Sequence, residues 1–293
     1  MKRLFILPMV VLAFFACKKE SKQQHAQDEG PQLIFKVKLD STQQRLDQFG
    51  QPQEISAGNA AQNPRFNWIA LHSIELVPNE YTPFEQGDMI YFADYVMEGG
   101  MKSIVFDKLK QVKNGEIVFK IPIKDVVPGT YKYIRSSVAC QNYDFDFQAN
   151  NFNMVGTISS FVGHMTYITS YKIKSQTVNV NASKMQGYYG VEIPAIPPYY
   201  SGEVIQGQTP STTVVNPISQ TSPLPSGSCT VTGTFPQPFT ITGNEKNDVV
   251  IDLSFSINKS FEWKDPDGNG IYNPLDGDTV VDMGLRGLIP IVH

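Results

Sequence analysis

The sequence predicts an all-β protein, built as one or two antiparallel β-sandwich units with a long proline-rich loop. Three observations carry that prediction. No apolar stripe of helical period lasts three turns anywhere beyond residue 17. Several segments instead alternate apolar and polar residues, the two-residue period of a strand with one buried face. Turn formers are plentiful, with 22 glycines and 20 prolines punctuating the chain at short intervals.

Leu33, Phe35, Val37 and Leu39 alternate with Ile34, Lys36 and Lys38 and define the first strand. Residues 42–63 are polar and rich in Gln, Asn and Gly, which reads as loop. The cleanest alternation follows, with Phe66, Trp68, Ala70, His72, Ile74 and Leu76 on one face, ended by Pro78-Asn79. Further strands are expected at 89–96, 103–106, 116–121 and 130–140, the last introduced by the turn Pro128-Gly129. Residues 154–161, 165–174 and 177–181 read as strands too. Residues 194–227 hold seven prolines, and proline removes ladder donors, so this stretch reads as a long excursion. Strands resume at 229–235, 238–242, 248–257 and 260–263, with closing candidates at 280–281 and 288–292. The chain length allows one large domain or two, and the expected division is 32–150 and 151–293.

Residues 1–16 read as a signal peptide. Lys2 and Arg3 precede an apolar run at 4–15, broken only by Pro8 and shorter than the roughly 20 residues of a membrane-spanning helix. Ala16-Cys17 at its end resembles the lipobox of bacterial lipoproteins, although Phe14 and Phe15 stand where that family prefers Leu and a small residue. The resemblance implies cleavage before Cys17, acylation of Cys17, and anchoring at the outer membrane, facing the periplasm or the cell surface. Residues 17–31 are almost free of apolar side chains and read as a flexible tether from lipid to folded body.

The charges are mixed, with 24 Lys plus Arg against 28 acids and a net charge of −4. That balance argues against a nucleic-acid partner and against a polybasic membrane patch. Cys140 and Cys229 admit two readings in an oxidising compartment. One is a disulfide that closes a long loop and stabilises by about 4 kcal/mol in the chain-entropy model; the other is two unrelated buried thiols.

Residues 115–121 followed by Val127-Pro128-Gly129-Thr130-Tyr131-Lys132-Tyr133-Ile134 resemble a pattern of prealbumin-like sandwiches in bacterial envelope lipoproteins. They are also similar to a copper-associated lipoprotein family. The resemblance covers about a third of the chain and implies a fold rather than an activity.

Residues 265–276 carry the most specific chemistry. Calcium takes six to eight oxygen ligands from a chain that doubles back on itself. Asp265, Asp267 and Asn269 occupy the first, third and fifth positions of a twelve-residue loop, and Gly270 stands at the sharp turn. Ile271 would offer its carbonyl, Asn273 a direct or water-mediated contact, and Asp276 the closing carboxylate. The spacing resembles EF-hand-like loops, dockerin loops above all. Strand-like flanks and Pro274 depart from the helical setting of that family, and Asp276 is a carbon shorter than Glu. Asp278 or Asp282 could close the site instead. The competing reading is a Gly/Asp/Asn turn with no ion.

Other candidates are less specific. Tyr199 and Tyr200, with Tyr188, Tyr189 and Trp263, could form an aromatic platform for a glycan or protein ligand. His72, with His164, Met154 and Met165, could hold copper if the histidine lay exposed beside a methionine. A glycan hydrolase would need two carboxylates at the bottom of a cleft, one with a raised pKa. No nucleophile elbow, zinc-protease motif or phosphate-binding glycine loop occurs. The leading expectation is a non-catalytic, lipid-anchored envelope protein with a structural calcium site, working by binding or scaffolding.

Overall fold

The computed structural model describes residues 30–210 and 214–293. The signal peptide, Cys17 and nearly all of the tether lie outside those residues. The first strands are β1 (Gln32–Asp40), β2 (Asn59–Gln62), β3 (Arg65–Val77), β4 (Asp88–Phe92), β5 (Tyr95–Val96) and β6 (Ser103–Val105). Then come β7 (Gln111–Val112), β8 (Ile117–Pro122), β9 (Gly129–Ala149), β10 (Phe152–Phe161), β11 (Met165–Lys172) and β12 (Thr177–Met185). The chain closes with β13 (Tyr188–Ile193), β14 (Glu203–Gln208), β15 (Thr230–Ile241), β16 (Val249–Ser256), β17 (Phe261–Lys264), β18 (Thr279–Asp282) and β19 (Leu288–Val292). The fold is all-β, as the alternation requires, and its sheets pack face to face as a sandwich.

The largest sheet runs β14-β13-β10-β9-β3-β4, with β15 also on β9 and β7 on β3. Three smaller sheets complete the molecule, in the orders β19-β16-β1-β8, β12-β11-β6-β5 and β18-β17-β2. The 21-residue β9 is the spine, because successive stretches of it feed three separate cores. Tyr131, Ile134 and Val138 join Leu33, Phe35, Ile251 and Leu253. Ala139 and Cys140 join Phe161, Ile168 and Tyr171. Tyr143, Phe145 and Phe147 join Phe261 and Trp263. Each side chain that leaves water for such a core contributes about 1.5–3 kcal/mol before entropy is counted.

Several expectations need correction. The division at residue 150 does not separate two units. Residues 150–151 form the tight turn between β9 and β10, with Asn150 and Asn151 at φ of 48° and 62°, and all of β10 pairs with the Cys140–Ala149 half of β9. β1 pairs in parallel with β16, Phe35 opposite Ile251, so the two halves are interleaved. The strand at 66–76 buries both faces from Ile69 onward, because it lies inside the sheet and slips register against β9 at three points. Within 42–63, residues 59–62 form β2 rather than loop. In β15 the pairing jumps from Thr234 to Phe239, which lets Pro236 and Pro238 pass where no ladder donor is required.

The proline-rich excursion at 194–227 is less of a loop than its composition implies. Residues 203–208 contain no proline and add β14 to the edge of β13. Val215 and Ile218 are buried, and Val215 belongs to the largest core. A buried ionic knot holds the rest. Arg135 and Glu75 face one another across β9 and β3, with Nη1 3.3 Å from Oε2 and both side chains within 2 % of complete burial. Arg135 donates through Nη2 to the Ser222 hydroxyl at 2.6 Å and to the Thr82 carbonyl at 3.0 Å. The Gly87 N–H donates to Glu75 Oε1 at 2.6 Å. A Cβ on Gly87 would lie 2.3 Å from the Leu76 carbonyl oxygen, so this approach requires glycine. Burial pushes the Glu75 carboxyl up, while Arg135 and the backbone N–H groups pull it back.

Cys140 and Cys229 are both free and buried. The Cys229 thiol lies 3.1 Å from the Ser137 hydroxyl, whereas Cys140 packs among Ala70, Ile104 and Phe161. The strands hold the two sulfurs in different packing environments, which corrects the bridged reading. Burial pushes the Cys229 thiol up to about 11.

Candidate functional site

The acidic loop connects β17 to β18, two paired strands with Lys264 opposite Thr279 at its base. Strands therefore flank it on both sides, as its sequence setting implied. Its start is pinned by the Asp265 N–H donating to the Gly58 carbonyl at 3.0 Å. The turn passes through Gly268 and Gly270 at φ of 71° and 72°, the left-handed region that glycine enters without strain.

The side chains converge as the spacing predicts at the start of the loop and differently at its end. Single carboxylate oxygens of Asp265, Asp267 and Asp278 all lie within 4.8 Å of one another. Asp265 is half-buried and accepts the Gly270 N–H at 2.9 Å; Asp267 is exposed and accepts the Asn269 side-chain amide at 2.7 Å. Asp278 is 6 % exposed and accepts the Asn273 N–H at 2.7 Å. Asp276, the expected closing acid, instead accepts the Asn273 side-chain amide at 2.5 Å. Asn273 is itself 5 % exposed and uses its Oδ1 to cap the Leu275 N–H, so it braces the turn. The turn at Gly277, φ 98°, carries the chain past Asp276 and delivers Asp278 to the cluster. Asp282 pairs with Arg286 and stays apart.

No Lys or Arg forms an ion pair with Asp265, Asp267 or Asp278 among the described residues. Burial, and then the neighbouring charges of Asp265, Asp267 and Asp276, push the Asp278 carboxyl up. A hard divalent cation suits this set, since all three groups offer oxygen and none is neutralised from within. Asn269 Oδ1 already accepts the Ile271 N–H at 2.6 Å, which leaves it one lone-pair direction. Ile271 is 45 % exposed at the outer edge of the loop.

The remaining candidates scatter. The aromatic platform does not assemble. Tyr188 and Trp263 are buried in separate cores, and Tyr189 and Tyr200 pack half-buried against the core of Trp263. Tyr199 alone of the five is exposed, at 76 %, with its ring 5.7 Å from Phe152. Burial pushes the Tyr200 phenol up to about 12. His72 is 2 % exposed and sits between the rings of Phe92 and Tyr95, each 4.8 Å away. Burial lowers its pKa to about 4. Met154 belongs to the core of Trp263 and His164 lies on the surface, so His72 is not the exposed histidine that the copper reading requires.

Beside the acidic loop runs a groove of about 430 Å³ whose lining no single stretch of sequence brings together. Its lining includes Asp146, Phe147, Met154, Trp263 and, from the loop itself, Gly270 to Tyr272. Asp146 is its one carboxylate, clamped by both terminal nitrogens of Arg65 at 2.7 Å, which holds its pKa down. The acid pair that a hydrolase requires is not among the groove's lining residues. No protein-family model, curated protein or solved structure matches the chain.

Proposed function

We propose that this chain is a non-catalytic envelope lipoprotein, anchored through Cys17, whose β-sandwich carries a structural calcium ion and serves in binding or scaffolding. One observation carries the calcium reading: three carboxylates converge where no Lys or Arg among the described residues pairs with them. Left bare, they repel one another; a bound calcium ion would turn that repulsion into a clamp on the connection between β17 and β18. Asp265, Asp267 and Asp278 would hold it. The expected affinity is that of extracellular modules, on the order of 10⁻⁴–10⁻³ M. The anchor reading rests on the lipobox-like Ala16-Cys17.

Thermal melts with calcium and with EDTA test the site. Calcium should raise the melting temperature of the wild type and of Asp276→Asn, but not of Asp278→Asn. A wild-type melt indifferent to chelation would remove the ion from the reading. Labelled palmitate should enter the wild type and not Cys17→Ser.

A further inference from the structure

The groove beside the acidic loop has a composition that selects its occupant. Phe147, Met154 and Trp263, all nearly buried, form its apolar floor, and Val155, Ile271 and Tyr272 its more exposed apolar wall. Asp146 and Asn153 stand on the polar side. The Asp146 carboxylate is already doubly engaged by Arg65, and no lysine or arginine is among the lining residues. An anionic ligand would find Arg65 already neutralised by Asp146, and a cationic ligand would compete with Arg65 for Asp146. A neutral ligand is left, with one apolar face and a rim of hydroxyl groups.

Hydrogen-bonding capacity points the same way. Asn153 is exposed; its Oδ1 accepts the Gln148 amide at 3.1 Å, and its own amide hydrogens remain for an acceptor. The Asp146 oxygens each accept one bond from Arg65, and a carboxylate oxygen has room for a second. Trp263 lines the groove, is 1 % exposed, and its indole N–H has no acceptor among the described residues. A buried donor without a partner is rare and unfavourable. Trp263 lines the groove, so a ligand oxygen that reached its indole would satisfy that donor. A sugar ring has the matching surface, with C–H groups on one face for the apolar wall and hydroxyls at its edge. The volume lies within the usual range of ligand pockets, about 300–1,000 Å³.

We propose that this groove binds a neutral saccharide, and that the acidic loop sets its affinity. The second clause rests on the calcium reading above. Gly270, Ile271 and Tyr272 form one side of the groove and follow directly on Asp265, Asp267 and Asn269, so a cation that fixes the loop also fixes that wall. The Tyr272 carbonyl accepts the Gln148 N–H at 2.8 Å, which ties the same wall to the end of β9. A preformed wall spares the ligand the cost of ordering it.

The full-length protein in mild detergent, carrying Trp68→Phe so that Trp263 is its sole indole, provides the test. Neutral mono- and disaccharides of glucose, galactose, mannose, xylose and N-acetylglucosamine would be titrated by calorimetry and by Trp263 fluorescence, with calcium and with EDTA. Expected are millimolar or tighter binding of at least one sugar, a change in Trp263 emission, and at least fivefold weaker binding in EDTA. Val155→Arg, on an exposed rim position away from the core, should weaken binding at least tenfold with the melting temperature retained; Asn153→Ala should weaken it about threefold. Failure of every sugar at about 20 mM overturns the proposal, as does binding that ignores Val155→Arg, or tighter binding of apolar peptides than of any sugar. Melting in calcium and EDTA is recorded on the same samples. If calcium stabilises the protein but no sugar binds, the groove reading falls and the ion reading stands. If sugars bind equally well in EDTA, the coupling is overturned whatever calcium does to the melt.

Discussion

Glu75 and the Asp265–Asp267–Asp278 cluster are two answers to the same electrostatic problem. Glu75, Asp265 and Asp278 place carboxylates where solvent is restricted, and each accepts a backbone N–H. Glu75 receives its counter-charge from the chain itself, because the β3–β9 register sets Arg135 directly opposite. The loop acids receive none from the described chain. An internal ion pair needs no dissolved partner to form. A site that depends on a dissolved cation contributes in proportion to its occupancy, and so reports the composition of its surroundings.

Breaking the internal pair should have the largest effect. Arg135→Met leaves Glu75 buried and uncompensated and takes the guanidinium donor from the Thr82 and Pro83 carbonyls, at a cost of about 3–5 kcal/mol in urea unfolding. Adding Glu75→Gln should recover part of that loss, and a double-mutant cycle gives the coupling. His72 sharpens the comparison, being buried with no counter-charge of either kind. Its folded pKa of about 4 lies below the ordinary value of 6.5, so the unfolded chain takes up the proton first on acidification. Stability from this group is complete above about pH 6.5 and is lost as pH falls toward 4, by on the order of 3 kcal/mol. His72→Phe should flatten that part of the pH profile. Glu75 works in the opposite sense, because its raised pKa means that stability declines as pH rises through the shifted range.

Calcium at about 10 mM should stabilise the wild type by about 1.4–2.7 kcal/mol if the dissociation constant is on the order of 10⁻⁴–10⁻³ M. Asp278→Asn should abolish that gain and leave Arg135→Met unaffected, which shows the two regions to be independent. The smallest expected effect is that of Gly270→Ala. Its new Cβ meets no atom within 4 Å, so the cost is that of a left-handed alanine, about 1 kcal/mol, and it should appear in EDTA as well as in calcium.

Periodicity made most strands legible, and β1 shows why: Leu33, Phe35 and Val37 are buried in alternation along one face. It failed where burial was double-sided, as in β3, and where composition concealed a strand, as in β14 beside its prolines. The Arg135–Glu75 pair could not be read because sixty positions separate residues that only sheet register brings together. The acidic loop was legible through Asp265, Asp267 and its glycines. Its closing acid was not settled by counting, since a left-handed turn at Gly277 substitutes Asp278 for Asp276. The groove was not legible, because the aromatic residues group Trp263 with Tyr199 and Tyr200, whereas the fold sets it beside Met154 and Tyr272.

The parallel pairing of β1 with β16 also governs the order in which the protein can form. Leu33 lies against Val249 and Asp40 against Ser256, so the earliest described strand completes its sheet only with one of the last. Closing so long a loop costs entropy before any contact rewards it, which makes for slow folding. Throughout synthesis β1 has no parallel neighbour, and its row of Leu33, Phe35 and Val37 stays available to any other strand.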